Sequence, residues 1–91
     1  MLVEWRPHAR QALQDIYEYI DDRSPEAADA MFDTITSAVA DLAEHPYIYR
    51  VGRVRNTREM VVHPNYLVVY RVTDRIVIVD VLHARRQYPP L

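Results

Sequence analysis

The stretch TREMVVHPNYLVVYRVTDRIVIVDVLH, residues 57–83, decides the fold of this chain. It contains three runs of strand-forming residues, TREMVV, YLVVYRV and IVIVDVLH, which are rich in Val, Ile and Tyr. The tripeptides HPN and TDR separate the runs, and their Pro, Asn and Asp residues are typical of tight turns. The pattern predicts an antiparallel meander of three strands. The middle run lacks a clean polar alternation, so we expect it to be central in the sheet.

Two amphipathic helices are predicted upstream of this meander. Pro7 is suited to the start of the first helix, and Ser24 with Pro25 forms an N-cap and first position for the second. Pro46 ends the second helix, because it cannot continue the hydrogen-bond ladder. Apolar residues recur at spacings of three and four in both segments: Ala9, Ala12, Leu13, Ile16 and Ile20 in the first, and Ala28, Met31, Phe32, Ile35, Ala38, Val39 and Leu42 in the second. The short link between the two segments predicts an antiparallel helical hairpin.

A short strand near Leu2 to Trp5 precedes the helices, and a connection with room for one short extended piece follows them. The predicted order is therefore β-α-α-β-β-β, an α+β fold in which the helical hairpin packs on one face of a mainly antiparallel sheet. We expect residues 1–91 to form a single domain.

The composition excludes several classes of protein. The chain has no Cys, which rules out disulfides, thiolate zinc sites and a Cys nucleophile. Its apolar runs are much shorter than the roughly 20 residues that span a bilayer, and the start MLVEWRPHAR is not a signal peptide. We expect a cytoplasmic protein with no membrane partner.

The charges are segregated along the chain. Residues 1–49 contain three Arg and ten Asp or Glu, a balance of −7, whereas residues 50–91 contain eight Arg and three acids, a balance of +5. All eleven basic residues are Arg and none is Lys. A genomic bias toward Arg accounts for the missing Lys as well as function does, but it leaves the segregation unexplained. The basic half predicts an anionic partner.

Five arginines are candidates for this anion-binding site. They are Arg53, Arg55 and Arg58, before or at the first meander strand, and Arg85 and Arg86, after the last. If the strands share one sheet, these guanidinium groups can converge on a common site that holds phosphate or carboxylate oxygens. The alternative is that they form an ordinary solvated surface.

Catalytic signatures are mostly missing. The chain has no glycine-rich phosphate loop, no pair of histidines on one helix face and no serine in a nucleophile elbow. His8 and His45 are expected to be solvated, and His63 is expected to be a turn residue. His83 is the histidine beside a cationic cluster and Tyr88, where it could transfer protons or simply pack against the end of the strand. We expect no metal and no cofactor.

Four phrases together resemble the ParE/RelE toxins, the toxic halves of bacterial type II toxin–antitoxin pairs. They are ALQDIYEYI at 12–20, LAEHPYIYRVGR at 42–53, REMVVHPNYLVVYRV at 58–72 and VLHARRQYP at 81–89. Their order and spacing carry the resemblance over essentially the whole chain. The resemblance implies the α+β fold already predicted.

The family has two activities, and the resemblance implies different residues for each. RelE-like members are ribosome-dependent endoribonucleases, for which Arg58, His83, Arg85 and Tyr88 would be the catalytic candidates here. Many of those nucleases carry an Arg where this chain has Leu67. ParE-like members bind DNA gyrase and need no general base. Leu67 favours the ParE-like branch, while a non-toxic domain that docks an acidic partner stays open as a third alternative.

The resemblance also implies a cognate antitoxin whose tail folds on the toxin. Such a tail would bury apolar surface of the helical hairpin, and its aromatic anchors would be Tyr17, Tyr19, Tyr47 and Tyr49. Operator DNA would be bound only indirectly, through the antitoxin.

Overall fold

The computed structural model describes residues 1–90. It has two helices and five strands: β1 (Val3–Trp5), α1 (Pro7–Asp21), α2 (Pro25–Leu42), β2 (Arg50–Val51), β3 (Arg58–His63), β4 (Tyr66–Val72) and β5 (Ile76–His83). The α+β prediction is confirmed. The connection before the meander contains one extended piece, β2, which makes one strand more than the predicted order has. The single-domain assignment to residues 1–91 stays a prediction, and Leu91 lies outside the described residues.

The strands form one sheet in the order β1-β5-β4-β3-β2. The neighbours in β2-β3-β4-β5 pair antiparallel, while β1 pairs parallel with β5. The central position predicted for YLVVYRV is therefore confirmed, since β4 lies third of five. No helix within residues 1–90 is long and apolar enough to cross a membrane.

The helical hairpin covers one face of this sheet, here called the helical face. Its core joins residues of α1 and α2 to residues of β3, β4 and β5: Ala9, Leu13, Ile35, Val39, Leu42, Met60, Val68, Tyr70, Ile76, Ile78 and Val81. The opposite face, the open face, has a smaller apolar cluster of Leu67, Val69 and Leu82. Residues of β4 are thus buried on both faces, which explains why this strand has no polar alternation.

Local chemistry sets the ends of the helices. The Ser24 hydroxyl accepts a hydrogen bond from the Ala27 backbone N–H at 3.2 Å, as an N-cap does. The last helical residue is Leu42, four residues before Pro46. The hydroxyl of buried Tyr70 then donates to the Pro46 carbonyl at 2.8 Å and ties the following connection to the sheet.

A tight loop of residues 52–57 joins β2 to β3. The Gly52 N–H donates to the Thr57 carbonyl at 2.7 Å, and both the N–H and the hydroxyl of Thr57 donate to the Val54 carbonyl. Asn56 adopts a left-handed φ of 65°, a conformation that Asn tolerates better than most residues. A side chain at Gly52 would collide with the Thr57 hydroxyl, so glycine is required at this close approach. The loop presents Arg53 and Arg55 at its tip.

Candidate binding surface on the open face

Glu59 lies in the middle of the open face and is only 2% exposed. Alternation along β3 places it opposite Arg50 on one side and Val69 on the other. Its carboxylate accepts hydrogen bonds from Arg50 Nη2 at 3.0 Å, Arg53 Nε at 3.0 Å and the Arg53 backbone N–H at 2.9 Å. The buried charge is therefore paired with two cations, which is the condition for keeping a carboxylate ionised away from water.

The pKa of Glu59 reflects this pairing. Burial by itself raises the pKa of the carboxyl group, but the hydrogen bonds and charge of Arg53, together with Arg50, outweigh burial. The pKa of Glu59 consequently lies below its ordinary value. At neutral pH the side chain is a fixed negative charge on the open face.

The segment after β5 folds back over the same face. Tyr88 packs against the cluster of Leu67, Val69 and Leu82. The guanidinium carbon of Arg53 lies 5.6 Å from the centroid of the Tyr88 ring, within the range of a cation–π contact. Burial and the charges of Asp80 and Glu59 raise the pKa of the Tyr88 hydroxyl. The phenol is therefore fixed as a neutral, packed side chain.

A shallow cavity of about 500 Å³ opens beside Glu59. Its floor includes Leu67 and Val61, the latter 57% exposed, and its rim carries Arg50 and Arg53. The cavity combines an apolar floor with guanidinium groups that are already paired with a carboxylate. This arrangement suits contact with a protein surface better than capture of a free phosphate.

The structure corrects the expectation that five arginines share one site. Arg58 pairs across the sheet with Tyr70 and lies on the helical face. Its Nη1 donates to the carbonyls of Tyr47 at 3.2 Å and Tyr49 at 2.8 Å. Arg53 precedes it by only five positions but points to the other face, because the 52–57 loop reverses the chain between them.

Arg85 and Arg86 occupy a third location, in the turn that follows β5. The Arg85 N–H donates to His83 Nδ1 at 3.1 Å and the Arg86 N–H donates to the His83 carbonyl at 3.0 Å, so His83 organises this turn. Both arginine side chains are exposed, as is that of Arg55 at the tip of its loop. The anion-binding role of these residues stays a prediction, now divided among separate surfaces.

The four nuclease candidates also do not lie together on one face of the sheet. His83 lines a cavity with His8, Gln11 and Asp15 on the α1 side, and its ring lies 5.4 Å from that of Tyr66. Arg58 is on the helical face, whereas Tyr88 is on the open face. Within residues 1–90, no group of three His, Cys, Asp or Glu side chains could hold a metal ion.

The four tyrosines proposed as antitoxin anchors differ in exposure. Tyr19 and Tyr47 are 58% and 63% exposed, while Tyr49 packs against the main core. The Tyr17 hydroxyl donates to Asp29 Oδ1 at 2.7 Å, and its ring meets Phe32 edge to face at 6.2 Å. Their role in antitoxin binding stays a prediction.

Two paired carboxylates are features that the sequence analysis missed. One is Glu59, an acidic residue in the basic half of the chain. The sequence feature that could have identified it is its position in a predicted strand, between Arg58 and apolar residues. The other is Asp80, 5% exposed, which accepts from the Val81 N–H at 2.8 Å and lies 3.2 Å from His8 Nε2. His8 is largely exposed, as expected, but it also contacts this buried acid.

Comparison with known proteins places these features in a family. A family model described as the ParE toxin of the type II toxin–antitoxin system parDE matches residues 3–88. Toxin RelE2 of Caulobacter vibrioides is 39% identical over 85 residues, which are 92% of this chain and 96% of that protein. Protein Y4kP of Sinorhizobium fredii is 36% identical over 88 residues, 96% of this chain and 92% of its own.

A solved structure supports the fold independently. A chain of the chromosomal ParDE TA system from P. aeruginosa superposes with a TM-score of 0.81 at 22% identity, covering 91% of this chain and 95% of that chain. Together with the family model, which spans nearly all of the described residues, these similarities show that the chain belongs to the ParE toxin family of type II toxin–antitoxin systems.

Proposed function

We propose that this toxin acts by binding a protein target, DNA gyrase, and does not cleave messenger RNA. The observation that carries the proposal is the paired, buried Glu59 at the centre of the open face. The neighbouring position Leu67 is apolar and almost fully buried. The two guanidinium groups beside this carboxylate, those of Arg50 and Arg53, are paired with it and are not free to hold a bound phosphate.

Phosphoryl transfer makes the opposite demand on a site. It needs cations positioned where negative charge develops, and a single such donor is worth about 3–4 kcal/mol of transition-state stabilisation. Here Glu59 would repel the phosphate and already engages Arg50 and Arg53. The candidate acid–base groups His83 and Tyr88 are on different faces. These features support binding over catalysis.

Binding to a protein target needs exposed anchors on a rigid frame, and the chain offers them. Arg55 at the 52–57 loop, and Arg85 and Arg86 after β5, are exposed and lie in hydrogen-bonded turns. Arginine is enriched in the residues that dominate protein interfaces. We assign target contact to these residues and to Arg53 on the open face, as separate contact points.

We further propose that a cognate antitoxin neutralises the toxin by covering the helical hairpin. The outer groove between α1 and α2 is lined by Gln14, Tyr17, Asp29 and Phe32, and Phe32 is 42% exposed. An amphipathic tail can bury this apolar surface as it folds. Operator DNA would then be bound only through the antitoxin, and the complex would act in the cytoplasm, where gyrase works.

A supercoiling assay tests the proposal. Purified toxin at micromolar concentration is expected to block supercoiling of relaxed plasmid by gyrase or to trap cleaved DNA. The double variant R85A/R86A is expected to lose this effect, whereas R6A, which alters an exposed arginine outside the proposed surface, is expected to keep it. Normal supercoiling in the presence of folded wild-type toxin would contradict the gyrase assignment.

One observation favours a second candidate, ribosome-dependent cleavage of messenger RNA. Tyr88, one of the four nuclease candidates, lies beside a guanidinium group on the open face, that of Arg53. Toe-printing of a translating ribosome tests this reading, since a nuclease would leave a message cut in the ribosomal A site. An intact message at toxin concentrations that arrest growth would exclude the nuclease activity. Expression without growth arrest would instead favour the non-toxic interaction domain.

A further inference from the structure

The turn that follows β5 is built around a histidine. The Arg86 N–H donates to the carbonyl of His83 at 3.0 Å, so residues 83–86 form a β-turn with His83 in the first position. The Arg85 N–H donates to the Nδ1 atom of the same imidazole at 3.1 Å. Asp, Asn and Ser accept this hydrogen bond in most turns of the kind, because their side chains reach the N–H two residues further on.

The turn between β3 and β4 repeats the arrangement. Its first residue is His63, and the Nδ1 atom of that imidazole accepts a hydrogen bond from the Asn65 N–H at 3.0 Å. The Asn65 carbonyl accepts from the Ala84 N–H at 2.7 Å, which ties the two turns together. The ring centroid of Tyr66 lies 5.9 Å from that of His63 and 5.4 Å from that of His83. The two histidine-led turns therefore form one connected unit at this end of the sheet.

An imidazole differs in one respect from the usual acceptors in a turn. The side chains of Asn and Ser accept a hydrogen bond at any pH between about 5 and 8, whereas an imidazole takes up a proton in that range. In a neutral ring that accepts at Nδ1, the other nitrogen already carries a hydrogen, so the added proton goes to Nδ1. The Arg85 N–H then faces a donor instead of an acceptor. The observed turn therefore requires a neutral His83 ring.

Helix α1 faces His83 across a cavity of about 300 Å³ and supplies two titratable groups to its lining, His8 and Asp15. The Asp15 carboxylate already accepts a hydrogen bond from Gln11 Nε2 at 2.8 Å. His8 Nε2 lies 3.2 Å from the carboxylate of Asp80. Within residues 1–90, the histidine that forms an ion pair is His8, and His83 forms none.

The turn itself and β4 supply two cations and a phenol to the surroundings of His83. Arg85 and Arg86 follow it directly in the turn, and Arg86 also lines the cavity. Tyr66 of β4 is a neutral phenol, because burial raises the pKa of its hydroxyl and Tyr19 of α1 adds to that rise. A protonated His83 ring therefore stands beside like charges at the moment that it stops accepting the hydrogen bond of the turn.

We propose that His83 is a pH-sensitive positioning residue, which holds the 83–86 turn closed while its ring is neutral and releases it when the ring is protonated. The turn carries Arg85 and Arg86, so the placement of these two guanidinium groups depends on the state of one imidazole. The consequence for target contact rests on the proposed function. The opening of the turn rests only on the geometry around His83.

Amide hydrogen exchange in the full chain tests the inference. The protection factor of the Arg85 N–H, which compares its exchange rate with the intrinsic rate at the same pH, is expected to fall by about three- to tenfold between about pH 8 and about pH 5. The fall is expected to follow the titration of the His83 ring, observed by NMR at its carbon-bound protons. Glu59 stays ionised over this range, since its pKa lies below its ordinary value of 4.5, so the open face is not disturbed.

Two substitutions at position 83 separate the acceptor from the charge. H83N supplies an amide oxygen that accepts the same hydrogen bond at either pH, so the protection factor of the Arg85 N–H is expected to stay high and independent of pH. H83A removes the acceptor, so the protection factor is expected to be low at both pH values. H83N decides the matter by itself if H83A does not fold.

The two neighbouring histidines provide matched controls. H8Q removes the other imidazole of the cavity, and H63N replaces the imidazole of the neighbouring turn by an acceptor that does not titrate. In both variants the Arg85 N–H is expected to respond to pH as in the wild type. A protection factor that does not change with pH in the wild type, or a pH response that persists in H83N, would overturn the proposal.

The outcome for this turn is separate from the outcome for gyrase. The readout is a single amide of the folded toxin and needs no target. A turn that is insensitive to pH leaves the gyrase proposal standing, whereas normal supercoiling alongside a responsive turn would contradict the gyrase proposal alone.

Discussion

Glu59 shows how one buried carboxylate changes the meaning of the basic residues around it. Arg53 was expected from its sequence position to bind an external anion, yet both Arg53 and its neighbour Arg50 donate to Glu59. Their positive charge is therefore largely balanced inside the chain. The exposed Arg85 and Arg86 keep theirs available.

Replacing Glu59 by Gln tests this pairing. The variant leaves two half-exposed guanidiniums without their counter-charge, and we expect it to lower the free energy of unfolding by about 1–3 kcal/mol at neutral pH. Urea denaturation monitored by circular dichroism measures the change. D74N, which alters an exposed acid paired with a single arginine, is the control and is expected to cost much less. A stability equal to that of the wild type in E59Q would show that the pair contributes nothing.

The same residue predicts a pH dependence. Because the pKa of Glu59 is lower in the folded chain than its ordinary value of 4.5, its stabilisation is fully present above that pH and is lost as the pH falls through the folded pKa. The stability difference between wild type and E59Q is therefore expected to shrink below about pH 4.5. A difference that stays constant down to about pH 3 would contradict the lowered pKa.

Residue-level prediction from sequence failed where it depended on which face a side chain takes. Arg53 and Arg58 are close in sequence, and the amino-acid sequence does not indicate that a tight loop places them on opposite faces of the sheet. A shift of one residue in the register exchanges the two faces of a strand. The sequence shows where the basic residues lie along the chain. Their spacing could not show whether Arg58 shares a face of the sheet with the other four candidate arginines.

At the scale of elements, the helices were predictable because their signals are local. Pro7 and Pro25 are the first residues of the two helices, and the Ser24 cap is present. The three meander strands were equally clear. The two-residue strand β2 was expected only as a short extended piece without defined bounds, because so short a strand has no periodicity of its own and exists only through pairing with β3.

The Ser24 cap gives a prediction for the helical hairpin. S24A removes the acceptor for the Ala27 N–H at the start of α2 and is expected to destabilise the protein by about 1 kcal/mol. S37A, in the exposed middle of the same helix, is the control, where alanine is expected to be neutral or slightly stabilising. Thermal denaturation of the three proteins checks the prediction, and equal losses in the two variants would show that the cap is unimportant.

For the whole molecule, the segregation of charge in the sequence becomes a segregation of layers. The acidic first half forms both helices, and the basic second half forms four of the five strands and the turns at their ends. One layer therefore presents a negative surface and the other offers exposed arginines. A toxin with two such surfaces can meet an antitoxin and a target through different chemistry.

The exposed arginines after β5 test whether that division matters for function. For R85A/R86A, we expect that at least about tenfold more inducer is needed to arrest the growth of an expressing bacterium. The melting temperature is expected to change by less than about 2 °C. The small thermal effect follows because neither side chain pairs with another charge in residues 1–90. A large fall in melting temperature would show instead that these arginines hold the fold together.

The choice between binding and cleavage is tested most directly by growth arrest in the variant Y88F. Phenylalanine keeps the ring against Leu67, Val69 and Leu82 and beside Arg53, but it lacks the hydroxyl that a nuclease would use. If the toxin acts by binding, Y88F arrests growth as strongly as the wild type at equal protein level. Loss of growth arrest in a fully folded Y88F protein would contradict the binding mechanism and favour cleavage of messenger RNA.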